Sequence, residues 1–272
     1  MEILFLGTAA AEGWPAPFCS CHACREARRL GGNDIRSRAG ALIDNAVKID
    51  YGPDVVCQMQ RFGRDLTHVS TLLFTHEHDD HFMPSELLYR KRGFVTADTV
   101  LPELAIYGND HVMRLLREQI PDPASIEAKY FPLTAFRTVT THDGTSVFPA
   151  PAAHTEGALL LRIERNGRRL LWGHDTGIVA QETIDALRGA PLDIAVFDCT
   201  YGPAAGEQRH HMGIEGVVAT VERLRKAGAV TGSTRLVATH FSHNGGMLHE
   251  QLAERCRPHG ITAAYDGMIM EV

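Results

Sequence analysis

Short apolar runs that end in Gly, Asp, Thr or His recur along the whole chain. Their β-branched and aromatic members, with turn residues directly after them, are typical of buried β-strands. The clearest examples are Ile3–Gly7, Thr71–Thr75, Ile194–Asp198 and Leu236–His240.

Two longer stretches predict β-hairpins. Residues 41–50 alternate around Asp44-Asn45, and residues 159–172 form two apolar arms joined by Asn166-Gly167, a dipeptide that accepts the positive φ values of a tight turn. Helix-compatible segments lie between the strands. They begin at Pro84, which suits the first position of a helix, and continue with His111–Ile120, Glu182–Leu187, Ile214–Ala227 and Met247–Cys256.

The order of these elements predicts the fold class. In each half of the chain, strands and hairpins come first and helices follow, which favours mixed β-sheets covered by helices, an α/β (α+β) arrangement. No Pro- or Ser-rich linker interrupts the sequence, so we expect one domain over residues 1–272. Gly93–Pro132, rich in Pro and weakly periodic, gives no clear assignment.

Composition excludes several classes of protein. The 272 residues are 44% hydrophobic and 22% charged, as in an ordinary globular domain. No apolar run reaches the ~18 residues that span a membrane. Met1–Gly7 is too short for a signal peptide and lacks its basic flank, so we expect a cytoplasmic protein with reduced thiols. The formal net charge of -6 disfavours a broad nucleic-acid surface.

The strongest chemical feature is the heptad Thr-His-Glu-His-Asp-Asp-His, which begins at the end of the strand over 71–75. So many imidazoles and carboxylates are costly to bury unless they bind a cation. His76 and His78 can point the same way, because side chains in an extended chain repeat every two residues. Asp80 and His81 follow in the next turn and can face a second point nearby. This spacing predicts two adjacent metal ions.

A dinuclear site needs ligands from other parts of the chain, and three candidates each follow a strand-like segment. They are His154, Asp175 and His240. We expect the Asp175 carboxylate to bridge the two ions. The remaining ligands are expected to divide into His76, His78 and His154 for one ion, and Asp80, His81 and His240 for the other. Zn, Mn and Fe all suit a site rich in His and carboxylate.

A second group of metal ligands lies near the beginning of the chain. Cys19, Cys21 and Cys24 have C-x-C-x-x-C spacing. A structural zinc takes four ligands in a tetrahedron, and His243, three residues after His240, is the best fourth candidate. Three unligated thiols are the alternative, because a lone three-Cys cluster is less specific than paired C-x-x-C motifs.

The order of these motifs resembles the metallo-β-lactamase superfamily. The HxHxDH cluster, a later His, an Asp after a strand and a late His match at the seven dinuclear positions, and the resemblance spans most of the chain. It implies an αββα sandwich, with two packed sheets between helix layers and the metals at one edge. Asp175 favours the hydrolase and phosphodiesterase branches, because true β-lactamases lack a bridging aspartate. Flavodiiron oxygen reductases carry Glu where this chain has His78.

The N-terminal cysteines, the arginines after them, the Thr-His-x-Ser-His segment and the closing Asp266-Gly267-Met268 resemble PhnP-type phosphodiesterases. These are the phosphoribosyl cyclic phosphate phosphodiesterases of bacterial phosphonate metabolism. The resemblance implies a structural zinc on the three cysteines and His243. It also implies a catalytic His after the strand that ends in Asp198-Cys199. By spacing this residue is His211, with His210 as the alternative.

We therefore hypothesise hydrolysis of a small cyclic phosphodiester by a hydroxide that bridges two divalent ions. His211 would be the general acid, and Asp80 and Asp175 would act as catalytic ligands. The expected partner is the small phosphodiester, with no nucleic acid and no membrane, and a homodimer is left open.

Other functions fit the same ligands. A ribonuclease Z-type nuclease is one, although the sequence has no Gly- and Lys-rich insertion that would form the arm of such enzymes. A thioesterase or lactonase is another. A non-hydrolytic, PqqB-like cofactor-biosynthesis protein ranks lowest, because the metal-ligand signature tends to be degraded there.

Overall fold

Two mixed β-sheets form the centre of the molecule. The computed structural model describes residues 1–204 and 208–272. The strands in this part of the chain are β1 Glu2–Gly7, β2 Gly40–Ile43, β3 Val47–Ile49, β4 Thr71–Leu73, β5 Leu104–Gly108, β6 Ala128–Pro132, β7 Val139–Thr140, β8 Ser146–Pro151, β9 Leu159–Arg165, β10 Arg168–Gly173, β11 Ile194–Asp198, β12 Arg235–Thr239, β13 Ile261–Ala263 and β14 Ile269–Glu271. The α-helices are α1 His22–Leu30, α2 Val55–Phe62, α3 Asp110–Gln119, α4 Gln181–Ala186, α5 Ile214–Lys226 and α6 His249–Cys256.

Over residues 1–204 and 208–272, each sheet has seven strands and combines parallel with antiparallel pairing. The first has the order β14-β1-β2-β3-β4-β5-β6, and the second has the order β13-β12-β11-β10-β9-β8-β7. Strands β3 to β6 run parallel to one another, as do strands β10 to β13, and the other neighbours are antiparallel. The carboxyl ends of parallel strands share one edge of a sheet, so the residues that follow them can meet there.

Both predicted hairpins are confirmed. Strands β2 and β3 are joined through Asp44 and Asn45, with φ values of 48° and 54°. Strands β9 and β10 are joined through Asn166 and Gly167, with φ values of 53° and 72°. Two successive residues with positive φ form the turn whose twist matches that of the flanking strands.

The sheets pack face to face and helices cover their outer faces. On β1, Ile3 and Phe5 point to the other sheet while Leu4 points to the helices, which explains why the strand is apolar on both faces. The rings of Phe5 and Trp172 lie 5.8 Å apart between the sheets. Helices α2 and α3 cover the first sheet, and α1, α4, α5 and α6 cover the second. The predicted αββα sandwich is confirmed.

The segment that starts at Pro84 is not an α-helix but a 3-10 helix, Pro84–Arg90. A 3-10 helix places residues three apart on one face. Pro84 and Leu87 are both buried in this way, and Arg90, next on that face, donates hydrogen bonds to the carbonyls of Ile126 and Pro102. The buried and bonded residues of this segment recur every three positions, rather than at the 3.6 residues per turn of an α-helix, and this explains why the segment forms a 3-10 helix.

Within Gly93–Pro132, the helix predicted over His111–Ile120 is confirmed as α3, and the part that had no assignment contributes β5 and β6 to the first sheet. Among the described residues, no helix is long and apolar enough to cross a membrane.

Candidate metal centres and active site

The predicted dinuclear ligands meet at one edge of the sandwich. His76, His78, Asp80 and His81 follow β4 of the first sheet. The other three follow strands of the second sheet: His154 comes after β8, Asp175 after β10 and His240 after β12. The fold therefore brings together seven residues that are spread over 165 positions of the chain, from His76 to His240.

The ligand atoms form two overlapping groups. One group consists of His76, His78, His154 and Asp175, and the other of Asp80, His81, Asp175 and His240. In each group every residue offers one ligand atom, and these atoms lie within 4.8 Å of one another. Asp175 belongs to both, as expected for a bridging carboxylate. Its Oδ2 lies 3.7 Å from the Nε2 atoms of His76 and His154 and 3.3 Å from that of His81. Its Oδ1 lies 3.1 Å from His240 Nε2.

These spacings fit metal coordination. Ligands about 2.0–2.2 Å from a tetrahedral ion lie roughly 3.4 Å from one another. Within the described part of the chain, four buried atoms that face this point have no hydrogen-bond partner, although unpaired buried polar atoms are rare in folded proteins. They are the Nε2 atoms of His76, His81 and His240 and the Oδ2 atom of Asp80. A pair of cations would satisfy all four.

Electrostatics favour the same interpretation. Burial would raise the pKa of Asp175, but His240 and His81 lower it well below its usual value. Burial would lower the pKa of His240, but Asp175 and Asp80 raise it to about 9. Burial lowers the pKa of His76 well below its usual value. The carboxylates in this cluster thus require nearby positive charge, which metal ions would supply while the imidazoles stay neutral.

Asp50, which follows β3, orients two of the ligands. It is fully buried and its Oδ2 lies 2.7 Å from His81 Nδ1. Thr75 donates from its backbone N–H to Asp50 Oδ1 at 2.8 Å, and its hydroxyl hydrogen-bonds the same carboxylate at 3.0 Å. Since that hydroxyl has one proton, it accepts from His76 Nδ1 at 3.0 Å. Both imidazoles therefore present Nε2 to the ions.

The second sheet repeats this arrangement at the end of β11. Asp198 Oδ1 accepts hydrogen bonds from the Thr200 backbone N–H at 3.0 Å and from its hydroxyl at 2.9 Å. The hydroxyl lies 2.8 Å from His240 Nδ1. Asp198 Oδ2 contacts His211 Nδ1 at 2.7 Å. Asp198 thus orients a metal ligand through a threonine and the candidate general acid directly.

The geometry separates His211 from His210. His211 lines the same cavity as the dinuclear ligands, and Asp198 occupies its Nδ1, which leaves Nε2 for a substrate. The His210 side chain is exposed, and its Nδ1 lies 3.0 Å from the carbonyl oxygen of His154. His154 Nδ1 lies 3.0 Å from the carbonyl oxygen of His210 in return. His210 therefore supports the loop that carries the candidate ligand His154, whereas His211 faces the cavity.

The three cysteines and His243 form the second candidate centre, called the thiolate site below. His243 Nδ1 lies 3.7 Å from Cys19 Sγ and 3.6 Å from Cys21 Sγ, close to the roughly 3.5 Å between N and S ligands of a tetrahedral zinc. The N–H of Cys24 donates to Cys21 Sγ and, together with His243, lowers the pKa of Cys21 to about 6. Burial raises the pKa of Cys24 to about 11.

A model of the beta-lactamase superfamily domain matches residues 45–241, which include all seven dinuclear positions. The chain belongs to the beta-lactamase superfamily. The predicted resemblance is confirmed at this level. With the family and the complete set of candidate ligands, the protein is a metal-dependent hydrolase of the metallo-β-lactamase fold.

Several known proteins are similar to this superfamily member. Ribonuclease Z from Mycobacterium sp. (strain KMS) is 28% identical over 268 residues, which cover 89% of this chain and 84% of that protein. The crystal structure of Zn(2+)-bound PqqB from Methylobacterium extorquens aligns with a TM-score of 0.79 at 19% identity, over 100% of both chains. A diphosphatase from the PhnP family aligns with a TM-score of 0.76 at 22% identity, over 100% of this chain and 96% of its own. At these identities the two structures show the shared fold.

The sequence predicts the members of the two dinuclear groups and of the thiolate site, but not the residues that orient them. Asp50 and Thr200 were not singled out, and Asp198 served only as a landmark for His211. A signal was available, because Asp50 and Asp198 both terminate strand-like apolar runs, as the ligands themselves do. The backbone adds a clue that sequence does not carry: Asp50 and His240 have φ values of 55° and 62°, a left-handed conformation common at functional sites.

Proposed function

We propose that this hydrolase cleaves small phosphodiesters at the dinuclear site, as the PhnP-type resemblance implies. The observation that supports this most is the pairing of a seven-residue ligand set, bridged by Asp175, with His211 held by Asp198 at the same cavity. The first feature suits two ions, and the second suits transfer of a proton to a leaving group. Two divalent ions bound there supply Lewis acidity and an activated water for in-line displacement at phosphorus.

His211 protonates the leaving alkoxide in this proposal. Its Nδ1–H is committed to Asp198 Oδ2, so the proton that leaves is the one on Nε2. The Asp198 carboxylate is fully buried and stabilises the charged imidazolium before transfer. Thr200 couples Asp198 to His240, which keeps the acid and a metal ligand in fixed relation.

The cavity at this site suits a small substrate. Its volume is about 210 Å³, and it is lined by Ala10, Ala11, Glu12, His78, Asp80, His154, Asp175, Thr200, Tyr201, His211, His240, Ser242 and Asn244. The formal charge of -6 disfavours binding of a long phosphate backbone, whose affinity depends on neutralising several phosphates. We therefore propose a small diester rather than a nucleic acid.

The test combines metal analysis with a panel of substrates. Protein loaded with Zn, Mn or Fe would be assayed on a ribose cyclic phosphate, 2′,3′-cyclic AMP, bis(p-nitrophenyl) phosphate and a thioester. Hydrolysis of the phosphodiesters with two ions at the dinuclear site and one at the thiolate site is the expected result. Turnover of the thioester alone would place the protein among the carbon-ester hydrolases.

Ribonuclease Z activity is the second candidate, because the match to the mycobacterial enzyme covers most of both chains. Gly93–Pro132 adds two strands to the first sheet and a helix to the layer that covers it, so this segment is part of the sandwich rather than a projecting arm. Precursor tRNA would be offered as a substrate at several salt concentrations. Cleavage with a steep salt dependence would favour the nuclease over the small-molecule enzyme.

A PqqB-like role is supported by the structural similarity alone. We rank it lower because all seven dinuclear positions are occupied by ligand-type side chains. Failure of the metal-loaded protein to hydrolyse any member of the panel, or RNA, would favour it.

A further inference from the structure

Glu12 is a carboxylate in the catalytic cavity that the mechanism does not use. It lies in the loop after β1, and among the described residues that line the cavity the other acidic ones are the ligand candidates Asp80 and Asp175. About a third of the Glu12 side chain, 32%, is exposed. A carboxylate so placed is not needed to fill the core, yet it faces the space where a substrate has to bind.

Two neighbours fix the Glu12 carboxylate in position. Ser242 Oγ donates to its Oε1 at 2.5 Å, and the same hydroxyl accepts from the N–H of Asn244 at 3.1 Å, so the single Ser242 proton is committed to Glu12. His243 Nε2 lies 3.7 Å from Oε1, while its Nδ1 belongs to the thiolate site. Within the described part of the chain both contacts fall on Oε1, so Oε2 is the oxygen that faces a ligand.

The segment 240–244 explains why this geometry is rigid. Within five residues it supplies His240 to the dinuclear site, Ser242 and Asn244 to the cavity wall and His243 to the thiolate site. A ligand that binds metal through one ring nitrogen is usually oriented by a hydrogen bond or ion pair at the other. Glu12 is thus a shared element: it supports the thiolate-site histidine and forms part of the catalytic wall.

We propose that Glu12 sets substrate selectivity: it favours phosphodiesters whose alcohol part presents a hydroxyl group and rejects those that carry a second phosphate there. This rests on the proposed function. The scissile phosphate has to lie at the dinuclear ligands, so the rest of a small substrate extends along the remaining wall. A fixed carboxylate accepts a hydrogen bond from a hydroxyl, and it repels an anion that lies within a few ångströms.

The neighbours of Glu12 fit the same class of substrate. Neutral polar groups on this wall come from Asn244, Ser242 and Tyr201. Such groups complement the hydroxyls of a sugar rather than a second charged group. The proposal therefore separates this chain from an enzyme that requires a phosphate on the sugar in addition to the cyclic phosphate.

The experiment uses two substrates that differ at one position: adenosine 2′,3′-cyclic phosphate with a free 5′-hydroxyl, and the same molecule with a 5′-phosphate. The wild-type kcat/KM should be higher for the hydroxyl form. Glu12→Gln keeps the size of the side chain and an acceptor oxygen for Ser242 but removes the charge. The ratio of kcat/KM for the hydroxyl form to kcat/KM for the phosphate form should therefore fall at least about tenfold, mainly through KM. Bis(p-nitrophenyl) phosphate has neither group, so its turnover reports any general loss of activity, against which the change in preference is measured.

Controls separate selectivity from structure. Glu254→Gln, an equal change of charge at an exposed position of α6, should leave the preference unchanged, and Glu12→Asp should retain part of it. Metal content and the unfolding midpoint of each variant report on the thiolate site. A Glu12→Gln variant whose preference stays within twofold of wild type, or which slows all three substrates equally, would overturn the proposal.

Binding gives a readout that does not depend on turnover. Calorimetry with adenosine 3′-monophosphate and adenosine 3′,5′-bisphosphate should show tighter binding of the monophosphate to the wild type and a reduced difference in Glu12→Gln. Equal dissociation constants in the wild type would refute the selectivity even if the protein hydrolyses diesters. Conversely, if no diester is hydrolysed but the binding difference is present, the proposed reaction fails and the role of Glu12 in charge selection stands.

Discussion

The two candidate metal centres lie close together but are built in opposite ways. In the dinuclear site, seven ligands come from four separate segments, and most of them are deeply buried. In the thiolate site, three of four candidate ligands lie within six residues at the start of α1, and Cys21 is exposed. The first can exist only when both sheets have formed, whereas the second needs one long-range contact, from His243. This difference fits the proposed division of roles, with chemistry at the dinuclear site and structural support from the thiolate site.

Loss of the bridging carboxylate should have the largest effect. Asp175→Asn removes a ligand shared by both groups, so we expect activity to fall to background and at least one ion to be lost from the dinuclear site. The thiolate site should keep its zinc. Metal analysis alongside the hydrolysis assay checks both points, and a variant that retains every ion and full turnover would show that Asp175 is not a bridge.

His211→Ala tests the chemistry rather than the metals. Alkoxide leaving groups need a proton, so their release should slow by about 10²–10⁴-fold, while nitrophenolate esters should slow far less. His142→Ala is the matched control, because that side chain is exposed and does not line the cavity. Equal slowing of alkyl and nitrophenyl diesters by His211→Ala would leave His211 without a role as general acid.

The orienting carboxylate of the first sheet should matter less than a ligand. Asp50→Asn weakens the support of His81 and, through Thr75, of His76, so we expect metal affinity or activity to fall by about 10–100-fold. Titration in metal buffers measures the affinity. Asp65→Asn, at an exposed aspartate, should behave as the wild type. An Asp50→Asn affinity that matches the control would mean that the ligands are positioned by packing alone.

The thiolate site should give the smallest catalytic effect. Cys21→Ser removes an exposed ligand without disturbing the core, so one zinc should be lost and the unfolding midpoint should fall by about 5 °C. Turnover at low temperature should stay within a few-fold of wild type. Cys57→Ser, also exposed, should change neither quantity. A Cys21→Ser protein as inactive as Asp175→Asn would erase the distinction between the two centres.

Local sequence patterns predict many of the strands and turns of this fold. The two hairpins were readable because Asp44-Asn45 and Asn166-Gly167 fix turns by their own backbone preferences. The segment at Pro84 was misread because a short helix with Pro at its start can take either spacing, and contacts from Ile126 and Pro102 decide. In Gly93–Pro132 the pattern predicts α3 but not β5 and β6, because these two strands depend on the neighbouring strands and their helix layer for stability. One domain over residues 1–272 stays a prediction, which limited proteolysis would check.

The sequence by itself determined the ligand types, their order and the strands that precede them, because residue chemistry and period-two spacing are local properties. It also indicated which cysteines could share an ion. Tertiary structure alone decided that His211 and not His210 faces the cavity, that Asp50 and Asp198 orient the ligands, and that Glu12 forms the wall between the two centres. These are contacts between residues tens to hundreds of positions apart, and their distances follow from how two sheets pack, which no local pattern encodes.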